Sequence, residues 1–92
     1  MKIAVFGLGY VGSVSAACLA KDGHDVIGVD IQQVKVDAIN AGQSLVSEPG
    51  LAELVAELAA SKRLRATTCN REAVQASEMS LICVGTPSND NG

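Results

Sequence analysis

The sequence predicts an α/β domain, a doubly wound parallel sheet covered by helices, on three observations. Short β-branched apolar runs alternate with helix-patterned segments along the whole chain, as a parallel sheet with crossover helices requires. Apolar residues make up 48% of the chain but its aromatics are Phe6 and Tyr10 alone, so the core is built from Val, Ile, Leu and Ala, the usual filling of such a sheet. The first apolar run passes through glycine directly into a helix pattern, the beginning of a βαβ unit.

Each element has its own signal. "KIAVFG" is a compact apolar run ending in glycine and predicts the first strand. From Tyr10 to about Asp22 the spacing predicts a helix, with Val11, Val14 and Cys18 as its apolar stripe and Gly23 as its stop. The small residues Gly12, Ser15 and Ala16 are expected on the face laid against the sheet. "HDVIGVD", His24 to Asp30, is the second strand and closes on a carboxylate. "QQVKVDAINAG" offers Val34, Ala38 and Ile39 at helical spacing before Gly42, a short second helix. "SEPGLAELVAELAAS" places a proline near a helix start, followed by Leu51, Leu54, Val55 and Leu58 at amphipathic spacing. "LRATT" predicts a short strand, "REAVQAS" a short helix, and "MSLICVG" a further buried strand closed by Gly85, Thr86 and Pro87. The final "PSNDNG" reads as a loop cut open, and a fourth strand ending the sheet would leave an apolar edge. Residues 1–92 are therefore expected to be the N-terminal part of a larger domain, truncated after its fourth strand.

Composition narrows the function classes. The net charge is −3, with no basic stripe and no aromatic platform for bases, so a nucleic-acid partner is not expected; the basic "KRLR" at Lys62 to Arg65 reads as a solvated connector. No apolar run approaches the roughly 20 residues of a membrane span, and no signal peptide precedes the first strand, which points to the cytoplasm. Cys18, Cys69 and Cys83 are widely separated and form no CxxC pair, so neither a disulfide framework nor a metal site is expected. They read as packing residues rather than nucleophiles, and His24 as a surface loop residue.

The chemistry lies at the first strand–helix junction. Gly7, Gly9 and Gly12 form G-x-G-x-x-G, in which the first glycine permits the tight turn, the second lets a pyrophosphate approach the backbone, and the third lets the helix pack on the strand. The N–H groups and dipole at the helix start favour the phosphates. Asp30 closes the second strand 18 positions after Gly12, where a carboxylate accepts hydrogen bonds from an adenosine ribose. This is the signature of a Rossmann-type dinucleotide site. The Asp30 charge repels a 2′-phosphate and Ile31 follows it instead of an arginine, so the expected cofactor is NAD. Asp30 also suits the cap of the following helix, and Lys35 suits either the ribose or solvent. Thr86, in "CVGTP" at the carboxyl end of a strand, is either a cofactor contact or part of a strand-ending turn.

"MKIAVFGLGYVG", "GHDVIGVD", "SEPGL" and "ICVGTPS" together resemble the N-terminal region of the UDP-glucose/GDP-mannose dehydrogenases, over essentially the whole chain. "GTPSNDNG" is closer to the GDP-mannose members. The resemblance implies a nucleotide-sugar 6-dehydrogenase that oxidises the C6 alcohol of the hexose to a carboxylate in two hydride transfers to NAD, for polysaccharide synthesis. It implies that Tyr10, Val11, Asp30, Lys35 and Thr86 line the NAD site beside the glycines. It also implies that the catalytic cysteine and its lysine, asparagine and carboxylate partners lie in downstream residues, so that the 92 residues alone are inactive, and that the full-length protein is a homo-oligomer acting on a nucleotide sugar. Two other readings share the glycine pattern: a non-catalytic NAD-sensing module, and the cofactor domain of a 3-hydroxyacid dehydrogenase. Tyr10-Val11 and "GTPS" oppose the latter.

Overall fold

The computed structural model describes residues 1–45 and 47–83. Eight elements follow in order: β1 (Lys2–Phe6), α1 (Tyr10–Lys21), β2 (Asp25–Val29), α2 (Gln33–Asn40), α3 (Leu51–Ala60), β3 (Leu64–Thr67), α4 (Asn70–Ala76) and β4 (Met79–Ile82). The four strands form one parallel sheet in the order β3-β2-β1-β4, with Ile3 opposite Val26 on one side and Met79 on the other. This is the Rossmann-type arrangement that the alternation predicts, with a topological switch point between β1 and β4.

Strand alternation divides the core between the two faces of the sheet. Ile3, Val5, Val26, Leu64 and Ala66 point toward α1, α2 and α3, where they meet Ala16, Ala17, Ala20, Val36, Ile39, Val55 and Leu58. Ala4, Ile27 and Val29 point the other way, onto Ala73 of α4. The two faces thus receive helices from different parts of the chain.

Three sequence expectations are corrected here. The face of α1 against the sheet is Gly12, Ser13, Ala16, Ala17 and Ala20, whereas Val11 and Cys18 are exposed and Val14 is half-buried. Small residues win that face because α1 lies too close to the sheet for larger ones. In α2 the buried pair is Val36 and Ile39, with Val34 exposed. β4 has the composition of a buried strand, yet all four of its residues are exposed. Burial of both faces needs cover on both, and β1 is the one strand that flanks β4 among the described residues.

At the other edge, the backbone of β3 is protected by a side chain. Asn40, the last residue of α2, donates from Nδ2 to the Ala66 carbonyl at 3.0 Å and accepts at Oδ1 from the Ala66 N–H at 2.9 Å. One amide group thus replaces a missing strand neighbour and blunts the edge.

Candidate cofactor site

The carboxyl ends of β1 and β2 lie side by side, with Phe6 opposite Val29, so the glycine turn and Asp30 converge. The Gly7 N–H donates to the Val29 carbonyl at 2.8 Å, and the chain then turns away with φ of 96° at Gly7. A Cβ on Gly7 would stand 2.2 Å from the Cys83 carbonyl oxygen, so both conformation and clearance demand glycine there. A Cβ on Gly12 would stand 1.7 Å from the Gly7 carbonyl oxygen, which fixes how closely α1 approaches the end of β1. Gly9 is different. It has φ of −78° and a Cβ there would meet nothing within 4 Å among the described residues, so none of their groups requires its bareness.

Open space over Gly9 is what a bound pyrophosphate needs. Gly9 caps α1 without any side-chain hydrogen bond, and the first helical bond runs from the Ser13 N–H to the Gly9 carbonyl at 2.9 Å. The first N–H groups of α1 are left for an anion, with the helix dipole favouring it. Exposed Tyr10 and Val11 flank that opening. The residues present fit a dinucleotide.

Asp30 is built into the turn. Its Oδ2 accepts from the Leu8 N–H at 2.9 Å, and its Oδ1 from the Gln32 N–H at 2.9 Å. Lys35 Nζ stands 3.9 Å from Oδ2, with Asp30's side chain 11% exposed. Burial pushes the Asp30 pKa up, but the N–H groups of Gln32 and Leu8, the Lys35 charge and the Ile31 N–H outweigh it, leaving the carboxyl below its ordinary value. It is a carboxylate at neutral pH. The cap of α2 is Gln32, so the capping role considered for Asp30 does not describe it. A cleft of about 240 Å³ opens beside it, lined by Phe6, Gly7, Val29, Asp30, Ile31 and Asn70.

Gly7, Gly9, Tyr10, Val11, Gly12, Asp30 and Lys35 therefore gather at one end of the sheet; Thr86 lies outside the described residues. The sequence reading did not single out Leu8 or Asn70, and it named Ile31 only for standing where an arginine would favour NADP. Leu8 is buried, and a Cβ on Gly28 would stand 2.7 Å from its Cδ2, so the unexpected glycine inside β2 was the available signal of a close approach. Ile31 is 88% exposed at the mouth of the cleft, and no spacing rule links it to Asn70. Cys83 packs partly buried against the core as expected, but the other two cysteines depart from expectation. Cys18 and Cys69 are exposed, not packed, and the Cys69 sulfur caps α4 by accepting from the Glu72 N–H at 3.4 Å. His24 is half-buried, not a freely solvated loop residue, and its Nδ1 is buried without a partner among the described residues. No group of three His, Cys, Asp or Glu residues there could hold a metal, and no helix among them is long and apolar enough to cross a membrane.

Residues 1–92 match the model of the UDP-glucose/GDP-mannose dehydrogenase family, NAD binding domain. The chain belongs to this family. Its NAD binding domain is the part represented here, and NAD is the cofactor. GDP-mannose 6-dehydrogenase of Azotobacter vinelandii is 58% identical over 92 residues, all of this chain and 21% of the relative. UDP-glucose 6-dehydrogenase of Rhizobium meliloti is 50% identical over 88 residues, 96% of this chain and 20% of the relative. The crystal structure of a ternary complex of GDP-mannose dehydrogenase from Pseudomonas aeruginosa superposes with a TM-score of 0.93 at 52% identity, over all of this chain and 21% of that one. The chain thus spans about a fifth of the length of these dehydrogenases.

Proposed function

We propose that the full-length protein is an NAD-dependent nucleotide-sugar 6-dehydrogenase acting on GDP-mannose, and that these residues form the N-terminal part of its cofactor domain. The observation that carries the reading is the Leu8–Asp30 hydrogen bond, which joins the glycine turn to a carboxylate at the end of β2. The substrate follows from the relatives: the protein from Azotobacter vinelandii, at 58% identity, is named for GDP-mannose. The reaction converts the C6 alcohol to a carboxylate with two NAD reduced, and the residues that act on the sugar lie beyond this chain. NAD and nucleotide sugars are cytoplasmic metabolites, and the protein works there.

In this reading the chain's residues bind and orient the cofactor, which when bound supplies the hydride-accepting nicotinamide. Gly7 and Gly12 shape the turn, and the N–H groups at Tyr10 and Val11 would hold the pyrophosphate over Gly9. Asp30 would accept hydrogen bonds from the adenosine ribose hydroxyls through whatever capacity Leu8 and Gln32 leave, and Lys35 steadies that carboxylate. Ile31 and Asn70, which line the cleft beside Asp30, would hold the adenine, and Thr86, outside the described residues, would be a further cofactor contact. The Asp30 charge, held below its ordinary pKa, disfavours the 2′-phosphate of NADP. The test is the full-length protein supplied with NAD and GDP-mannose, then with NAD and UDP-glucose: NADH absorbance is expected first with GDP-mannose, and none with either sugar would overturn the reading.

A further inference from the structure

The motif "SEPGL" is absorbed neither by the glycine turn nor by the Asp30 cleft. Its Glu48 lies on the loop before α3, 38 residues from Tyr10, yet its carboxylate accepts a hydrogen bond from the Tyr10 hydroxyl. Tyr10 is the first residue of α1 and 56% exposed, so burial alone does not fix its ring. Gly9 before it has no side chain to cap the helix. The first turn of α1 is consequently fastened from outside, by Glu48.

The loop is constructed to hold that carboxylate still. The Leu51 N–H donates to the Glu48 carbonyl at 3.0 Å, closing a turn of Glu48, Pro49, Gly50 and Leu51. Gly50 has φ of 80° and ψ of −11°, the values of the third residue of a type II turn, where glycine is favoured and proline precedes it. Leu51 is buried in the core that α1 and α3 share, which anchors the far side of the turn. A residue on a rigid, core-anchored turn thus grips a residue at the mouth of the cofactor site. The hydrogen bond to Glu48, with lesser help from desolvation and the carboxylate's charge, raises the Tyr10 pKa, so the phenol remains a donor at neutral pH.

We propose that Glu48 is a positioning residue for NAD: acting through the Tyr10 hydroxyl, it fixes the first turn of α1 so that the N–H groups beside Gly9 meet the pyrophosphate without reorganisation. The inference rests on the cofactor reading above. Preorganisation of this kind raises affinity by lowering the ordering cost of binding. Glu48 needs its acceptor oxygen for this task and does not need its charge.

The test measures NAD dissociation constants by calorimetry in the full-length protein and in Glu48→Ala, Glu48→Gln, Tyr10→Phe and the Glu48→Ala/Tyr10→Phe double variant. Loss of one solvent-exposed hydrogen bond of ordinary strength predicts about fivefold weaker NAD binding in Glu48→Ala and in Tyr10→Phe. The double variant is expected to be no weaker than either single one, and Glu48→Gln to stay within about twofold of the parent because its amide oxygen still accepts. Additive losses, a Glu48→Gln variant as weak as Glu48→Ala, or unchanged affinity in Tyr10→Phe would each overturn the proposal. Tyr10→Phe removes a single exposed hydroxyl, so the comparison holds even if Glu48→Ala fails to fold. A parent protein that binds no NAD would instead overturn the cofactor reading itself.

Discussion

The Leu8 N–H donates to the Asp30 carboxylate across 2.9 Å, tying the middle of the glycine turn to the end of the neighbouring strand. Two segments 22 residues apart thereby become one rigid corner, and the corner faces the cleft lined by Ile31 and Asn70. The same carboxylate then has a structural task and, in the proposed function, a ligand-binding one.

Asp30→Ala separates those tasks poorly and Asp30→Asn well. Alanine leaves the Leu8 and Gln32 N–H groups without their acceptor and removes the ribose partner, so NAD affinity is expected to fall by about 1–3 kcal/mol and the fold to lose stability as well. Asparagine keeps one acceptor oxygen and is expected to retain more of the stability than of the affinity. Calorimetry with NAD and denaturant midpoints on both variants check this; equal losses of affinity and stability in the two would contradict it.

The pH dependence follows from the direction of the Asp30 shift. Its folded pKa lies below the ordinary value of 3.8, so its stabilising contribution is fully present above that value and is lost as pH falls through the folded pKa. The stability gap between parent and Asp30→Asn is therefore expected to be constant near neutrality and to shrink below about pH 4. Denaturant melts across that range test it, and a gap that persists at the lowest pH would remove Asp30 from the acid-labile contacts.

Gly9 and Gly12 are predicted to fail differently. Gly12→Ala drives a methyl to 1.7 Å from the Gly7 carbonyl oxygen, so its thermal midpoint should fall sharply. Gly9→Val has open space around its Cβ and φ of −78°, so the variant should fold at close to parental stability while losing NAD binding. Thermal melts paired with titrations distinguish the two, and a Gly9→Val variant that binds NAD normally would remove the pyrophosphate from that position.

Asn40→Ala strips both hydrogen bonds from Ala66 at the sheet edge. Destabilisation of about 1–3 kcal/mol is expected, with β3 amides exchanging faster. Protection of the Ala66 amide equal to the parent's would contradict the edge-capping role of Asn40.

Most of the fold was legible because the chain follows simple rules. Apolar runs of strand length alternate with helical periodicity, and parallel order with a switch point follows from that alternation. What escaped was what depends on interhelical and interstrand distance. The stripe of Val11, Val14 and Cys18 has helical spacing, but the sheet selects the small face of α1, because α1 packs within a glycine's reach of β1. β4 has buried composition and exposed faces because composition records what a strand can accept, not what covers it. In the candidate site, the convergence of the glycines and Asp30 was legible because their spacing is local. Leu8, Asn70 and the Tyr10–Glu48 contact were not, since they arise from chain segments that meet only in the folded sheet.

One titration tests the central claim most directly: calorimetry of the full-length protein with NAD and with NADP at the same ionic strength, repeated in Asp30→Asn. Saturable NAD binding, much weaker NADP binding, and a narrowed preference in the variant are the predicted results. Equal affinity for the two dinucleotides in the parent would contradict the assignment of Asp30 as the residue that reads the adenosine ribose.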